Sequence, residues 1–187
     1  MTKMIVLGPP GAGKGTQAAR LAEHFGIPTI STGALFRSHM KTGSELGELA
    51  RSYIDKGNLV PDEVTTRMLA ERLQADDVAQ GFILDGYPRN LAQAAALDGI
   101  LGSNGIDSVV DFEIRGTEIV KRLLARAAIE GRSDDTEEVI RHRLKVYREQ
   151  TAPLQDHYAE RGLLVPVDAV GSVEDVAART IVALGAR

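Results

Sequence analysis

The chain has 187 residues, 43% hydrophobic and 26% charged, with a formal net charge of −4; this suffices for one α/β domain with a sizeable core and excludes a disordered or fibrous chain. The acidic balance argues against a protein that coats nucleic acid, and 4% aromatics with no tryptophan supply no stacking platform for single strands. No cysteine occurs, which removes disulfides, zinc–cysteine sites and thiol catalysis and suits a reducing, cytoplasmic location.

Met4-Ile5-Val6-Leu7 is a continuous apolar run that meets glycine and proline at once, the pattern of a short strand buried on both faces. From Lys14 to Phe25 the apolar positions Ala18, Leu21, Ala22 and Phe25 recur at spacings of three and four, which predicts an amphipathic helix. Between residues 31 and 73 helical patterns are broken at Gly43, Gly57 and Pro61 with no convincing long strand, so this stretch is predicted to be a helical insertion. Further apolar runs at Phe82-Ile83-Leu84, Val109-Val110-Asp111-Phe112 and Leu163-Leu164-Val165-Pro166-Val167 alternate with helical patterns. That alternation predicts a mostly parallel sheet covered by helices. Residues 127–135 form a short polar segment between two helical runs, a candidate mobile loop. In the helix after it, Ile140, Leu144, Tyr147, Thr151, Leu154 and Tyr158 share one face, and Pro153 is predicted to bend it. No apolar run approaches the roughly 20 residues of a membrane span, and the residues before the first glycine loop do not read as a secretory signal.

Gly8-Pro9-Pro10-Gly11-Ala12-Gly13-Lys14-Gly15-Thr16 joins the first strand to the first helix and fits the glycine-rich phosphate loop. Glycines let consecutive backbone N–H groups point inward, the helix start adds partial positive charge, and Lys14 supplies a mobile cation. A plain strand-to-helix turn with a solvated lysine is the bland alternative; it needs neither the glycines nor Lys14 at that offset. The hydroxyl that usually follows the lysine and ligates magnesium is displaced one place, since Gly15 precedes Thr16. Asp85, ending the run Phe82-Ile83-Leu84, is the candidate acidic group for magnesium held through water; its alternative is a turn former before Gly86.

Sixteen arginines against six lysines favour planar, two-pronged recognition of phosphate. Arg37 lies one helical turn after Ser31-Thr32-Gly33, Arg89 follows Asp85-Gly86-Tyr87-Pro88, and Arg122, Arg126, Arg132 and Arg143 flank or occupy the polar loop. Singly, each reads as a solvated surface arginine. Beside a phosphate loop, they suggest a second phosphate site and a clamp.

These stretches carry a resemblance to the adenylate kinase family, within the nucleoside monophosphate kinases, over essentially the whole chain. Gly8 to Thr16 resembles the family's ATP loop, Ser31-Thr32-Gly33 with Arg37 the start of its AMP-binding insertion, Asp85-Gly86-Tyr87-Pro88-Arg89 with Gln93 its signature stretch, and Arg132-Ser133-Asp134-Asp135 with Arg143 its lid exit. The resemblance implies a phosphate-loop α/β fold: a parallel five-stranded sheet flanked by helices, in one domain over 1–187, with the nucleotide-binding insertion at about 31–73 and a short lid at about 127–135. It implies ATP contacts at Gly11, Ala12, Gly13, Lys14, Gly15, Thr16, Arg122, Arg126 and the backbone around Gly171. It implies AMP contacts at Thr32, Gly33, Arg37, Asn58, Leu59, Val60, Gly86, Tyr87, Pro88, Arg89 and Gln93, with Arg132 and Arg143 reaching the transferring phosphates. Lys14, Arg89, Arg132 and Arg143 are then the catalytic set. Family members with a long lid often pin it with zinc-binding cysteines; the short loop and the lack of cysteine here carry no zinc.

The activity so implied is reversible, magnesium-dependent transfer of the terminal phosphoryl group of ATP to AMP, giving two ADP, in adenine nucleotide homeostasis and salvage. The partners are ATP, AMP and ADP, with no nucleic acid and no membrane, and a monomer is expected because no exposed apolar stripe is visible. An acceptor phosphate has a second pKa of about 6, so it is ionised at neutral pH and needs no base; the work is alignment and charge cancellation. A UMP/CMP kinase keeps the fold and changes the acceptor, although Thr32 and Gln93 favour adenine within the resemblance. A phosphate-loop switch without turnover would leave the second arginine cluster without a purpose. His24, His39, His142 and His157 form no metal-ligand spacing and read as solvated or helix-facing. Asp135 with Glu138 reads as a capping pair, with an active-site role for Asp134 and Asp135 as the alternative, and Glu137 and Glu138 complement the helix dipole. With few aromatics, a cation–π face from Arg122 is the candidate cover for the adenine of ATP.

Overall fold

The structure is a computed structural model, and it describes residues 2–102, 105–131, 134 and 136–186. The opening run forms strand β1 (Thr2–Leu7), followed by α1 (Lys14–Phe25), the short strand β2 (Thr29–Ser31), and three helices, α2 (Thr32–Thr42), α3 (Glu45–Ile54) and α4 (Asp62–Arg72). Then come β3 (Gly81–Asp85), α5 (Leu91–Leu101), β4 (Ser108–Glu113), α6 (Gly116–Glu130), α7 (Glu137–Val146), α8 (Pro153–Glu160), β5 (Leu164–Asp168) and α9 (Val173–Gly185). The five strands make one parallel sheet in the order β2-β3-β1-β4-β5. Central β1 pairs Ile5 with Leu84 on one side and with Val109 on the other. The phosphate loop therefore leaves the sheet at the switch point of strand order, where the carboxyl ends of neighbouring strands part and open a crevice.

Alternation along β1 explains its unbroken apolar run. Ile5 and Leu7 enter a core with Leu84, Leu97, Leu154 and Tyr158, whereas Met4 and Val6 enter the opposite one with Ala18, Leu21, Val165 and Val176. Both faces are dry, so every position must be apolar. Strand β2, missed in the sequence, is three residues long; its ladder continues one residue before it, where Pro28 O accepts the Ile83 N–H at 2.9 Å. The predicted insertion holds α2 to α4 and carries its own small core of Phe36, Ala50 and Val60, with Met40, Leu46, Tyr53, Ile54, Val64 and Met68 packed around it.

Pro153 acts more sharply than a bend. Residues Tyr147–Thr151 widen into a π turn, Ala152 N–H reaches back five residues to Tyr147 O at 2.8 Å, and α8 restarts with the proline, which lacks an N–H to donate. The cap of α7 is Thr136, whose hydroxyl accepts the Val139 N–H at 3.4 Å. This corrects the Asp135–Glu138 capping pair: a threonine one place further on takes the position, and Asp135 lies outside the described residues. Among the described residues no helix is long and apolar enough to cross a membrane.

Two glycines give opposite expectations. Gly81 has φ +130°, and a Cβ there would lie 2.2 Å from Thr2 O, its partner across the ladder. Gly81→Ala should lose about 2–5 kcal/mol in urea unfolding. Gly99, inside α5 with open space around it, should gain about 0.5–1 kcal/mol on replacement by alanine.

Candidate functional site

The site begins with backbone that only glycine provides. Gly8 has φ +136°, and a Cβ on it would sit 2.7 Å from Phe112 O on β4; Gly11 has φ +83° and packs its bare Cα against Leu123 of α6. The loop thus lies flat against the sheet end and turns into α1 at Gly13, also left-handed, with no acidic residue in the first helical turn. The helix start keeps its positive end uncompensated. Lys14 folds back over the loop, its Nζ donating to Gly8 O at 2.8 Å and Pro9 O at 3.0 Å.

One cavity of about 860 Å³ opens here. Gly11, Gly13, Lys14, Gly15 and Thr16 line it from the loop and α1; Thr32, Gly33 and Arg37 from α2; Asn58, Leu59 and Val60 from the turn before α4. Asp85, Gly86, Pro88, Arg89 and Gln93 line it from β3 and the stretch into α5, Arg122 and Arg126 from α6, and Arg143 from α7. Lys14 and five arginines, drawn from five elements, therefore share a space whose carboxylates among the described residues are Asp85 and Asp134. Three sequence-predicted residues lie outside the lining. Ala12 and Tyr87 are buried, 2% and 1% exposed, and Gly171 neighbours Asp175 and Arg179. Arg132 and Ser133 lie outside the described residues.

The cations are braced rather than loose. Arg89 Nε donates to Gly86 O at 2.9 Å, and Thr32 Oγ1 donates to the same carbonyl at 2.9 Å, which ties α2 to the end of β3. Arg143 pairs with Asp134 at 2.9 Å, both largely buried. Arg122 reaches Glu118 at 3.2 Å and Ala169 O at 3.2 Å. Burial, opposed by Asp85 and reinforced by the charges of Arg89, Arg143 and Arg126, pushes the Lys14 ammonium down to about 8. Burial first, then Arg143, also holds Arg89 below the usual guanidinium range. Both shifts stem first from burial, with neighbouring arginines adding to it.

Several residues in or around the site were not picked out from the sequence. Thr151, in the π turn, donates to Arg89 O at 2.7 Å and lines the cavity with Tyr147. Asp111, 2% exposed in the middle of β4, accepts from Gln155 Nε2 at 2.5 Å while its other oxygen has no partner among the described residues, and burial raises its carboxyl; an acid inside an apolar strand was the available signal. His142 is not merely solvated, since its Nε2 meets Asn58 Oδ1 at 2.7 Å across the cleft. Beside that contact Gly57, φ +75°, lies so close to α7 that a Cβ would stand 2.9 Å from Arg143 Cγ.

Because Lys14 is depressed in the free protein, it loses its proton as pH rises through about 8, and a bound polyphosphate restores it. Affinity for inorganic tripolyphosphate should fall between about pH 7 and pH 9, and calorimetry in two buffers at about pH 9 should show proton uptake that Lys14→Met abolishes. The same depression means that the unliganded protein draws stability from this group as pH climbs from about 8 toward 10.5; thermal melts of the wild type and Lys14→Met across that range should converge.

A family model for adenylate kinase matches residues 6–163. The chain is 54% identical over 186 residues to an adenylate kinase of Kocuria rhizophila, covering 98% of this chain and 99% of that one. It is 52% identical over 187 residues to an adenylate kinase of Thermobifida fusca, covering 99% of each. With an adenylate kinase of Mycobacteroides abscessus the identity is 53% over 185 residues, 98% of this chain and 99% of the relative. With a five-stranded parallel sheet, a phosphate loop at its switch point and near full-length similarity to these proteins, the chain belongs to the adenylate kinase family.

Proposed function

We propose that the chain catalyses reversible transfer of the terminal phosphoryl group of ATP to AMP, giving two ADP, as a cytoplasmic monomer serving adenine nucleotide homeostasis and salvage. The observation that carries this reading is the convergence of Lys14, Arg37, Arg89, Arg122, Arg126 and Arg143 on one cavity. A single triphosphate needs one end of it; the arginines at the other end suit a second phosphate. On this reading the N–H groups of Gly11, Ala12, Gly13, Gly15 and Thr16, with Lys14, hold the β and γ phosphates of ATP. Arg122 and Arg126 cover the donor, and the backbone near Gly171 meets its adenine. Thr32, Gly33, Arg37, the turn Asn58-Leu59-Val60 and the stretch Gly86-Tyr87-Pro88-Arg89 with Gln93 hold AMP; Tyr87 acts from behind the wall.

The acceptor phosphate is already ionised at neutral pH, so no side chain must remove a proton. Catalysis then consists of setting two polyanions in line and neutralising the charge that spreads over the moving phosphoryl group, with Lys14, Arg89, Arg143 and Arg132 in that role. Asp85 fits a magnesium ion: its carboxylate faces the cavity, Gly15 leaves open space beside it where a Cβ would stand 3.5 Å from Oδ2, and Thr16 offers a hydroxyl nearby. On this reading the ion is carried mainly by phosphate and water, with Asp85 holding it through water. Bound with ATP, it supplies charge neutralisation of the phosphates. We propose one domain in which the insertion at about 31–73 and the lid at about 127–135 close over the nucleotides and exclude water, the competing acceptor.

A coupled assay offering AMP, UMP, CMP and GMP with MgATP should yield ADP fastest with AMP. Preference for UMP or CMP would reassign the acceptor, and no ADP with any acceptor would leave a nucleotide-binding switch. Arg89→Ala should lower kcat by about 10²–10³ and weaken AMP far more than ATP; equal weakening of both would undo the division of the cavity.

A further inference from the structure

Gln93 is 2% exposed, and its carboxamide is gripped at both ends. Oε1 accepts the Arg89 backbone N–H at 2.7 Å, and Nε2 donates to Asp62 Oδ1 at 2.7 Å. These partners fix which end is which, because an N–H cannot accept and an ionised carboxylate cannot donate. Asp62 opens α4, on the insertion. Its two oxygens also receive Asn90 Nδ2 at 2.9 and 3.1 Å, and Asn90 Oδ1 in turn takes the Gln93 backbone N–H at 2.8 Å. From beneath, the buried Tyr87 hydroxyl donates to Gln93 O at 3.2 Å and meets Thr66 Oγ1 at 2.8 Å. The Gln93 side chain therefore faces the cavity it lines with one amide N–H and one oxygen lone pair still available, in an order it cannot reverse without breaking both grips.

We infer that Asp62 is a positioning residue that sets the choice of acceptor base: by locking the order of donor and acceptor on Gln93, it selects a purine edge that presents a bare ring nitrogen beside an amino group. Adenine has that edge. Hypoxanthine has the same outline but presents N–H beside a carbonyl, the reverse order, so a locked amide mispairs with it and an unlocked amide, turned over, serves it. The inference rests on the reading of this cavity as the AMP site, which makes the pair AMP and IMP its natural probe.

The test is the ratio of kcat/KM for AMP to that for IMP, with saturating MgATP. The wild type should favour AMP. Asp62→Leu removes the grip on Nε2 and leaves Oε1 held by the Arg89 N–H alone; it should lower the ratio about tenfold, mainly through a higher KM for AMP, with the KM for ATP little moved. Asp62→Asn keeps the size of the side chain and can turn its own amide to offer either group; it should lower the ratio in the same direction and serves where the leucine variant does not fold. In a Gln93→Ala background neither Asp62 variant should change the ratio further, since Asp62 acts only through Gln93. An unchanged ratio in both Asp62 variants, or the same fall with Gln93 absent, overturns the inference. A wild type that uses AMP and IMP alike also overturns it while leaving the kinase reading intact; a wild type that phosphorylates no AMP overturns both.

Discussion

Like charges held around a cavity repel, and this repulsion is what the rest of the molecule restrains. Lys14 and the five arginines that face it come from helices and turns far apart in the chain, and in water alone such groups would splay outward. Four of them are instead tethered to main chain or to a carboxylate: Lys14 to Gly8 and Pro9, Arg89 to Gly86, Arg122 to Ala169, Arg143 to Asp134. Burial first, and the neighbouring cations after it, hold Lys14 and Arg89 below their ordinary ranges. A polyanion relieves the repulsion on arrival, so field and shape are prepared before the ligand comes and little reorganisation remains for the reacting state.

The parallel sheet makes such preparation possible. All its strands end on the same side, so the turns after β1, β2 and β3 meet at one edge. Gly86 O receives both Thr32 and Arg89 there. The π turn adds a brace from the far end of the chain, because the widened backbone before Pro153 places Thr151 under the Arg89 carbonyl. A regular helix through that segment would shift the register of everything after Tyr147.

What could be read in the sequence was what adjacent residues encode together. The apolar run, the glycines and Lys14 fall within the first sixteen positions, and their joint pattern specifies strand, loop and helix start with little reference to the rest of the chain. Strand β2 escaped because three residues cannot display an alternation. Thr136 and Asp135 are adjacent and both residue types cap helices, and only the path of the chain decides between them. The Asp62–Gln93, Thr151–Arg89 and His142–Asn58 contacts span 31, 62 and 84 positions; each joins polar residues that read individually as surface chemistry. Asp111 was visible as an anomaly in an apolar strand, but its partner Gln155 lies 44 positions on.

The self-contained packing of Phe36, Ala50 and Val60 has a bearing on how this fold can diversify. Those side chains pack on one another, while Leu69 of α4, with Leu35 of α2 beside it, anchors the same stretch in the core beneath the sheet. The small core around Phe36 is in that sense a cushion: drift among its own members can be absorbed locally, while the face that carries Leu69 stays tied to the sheet.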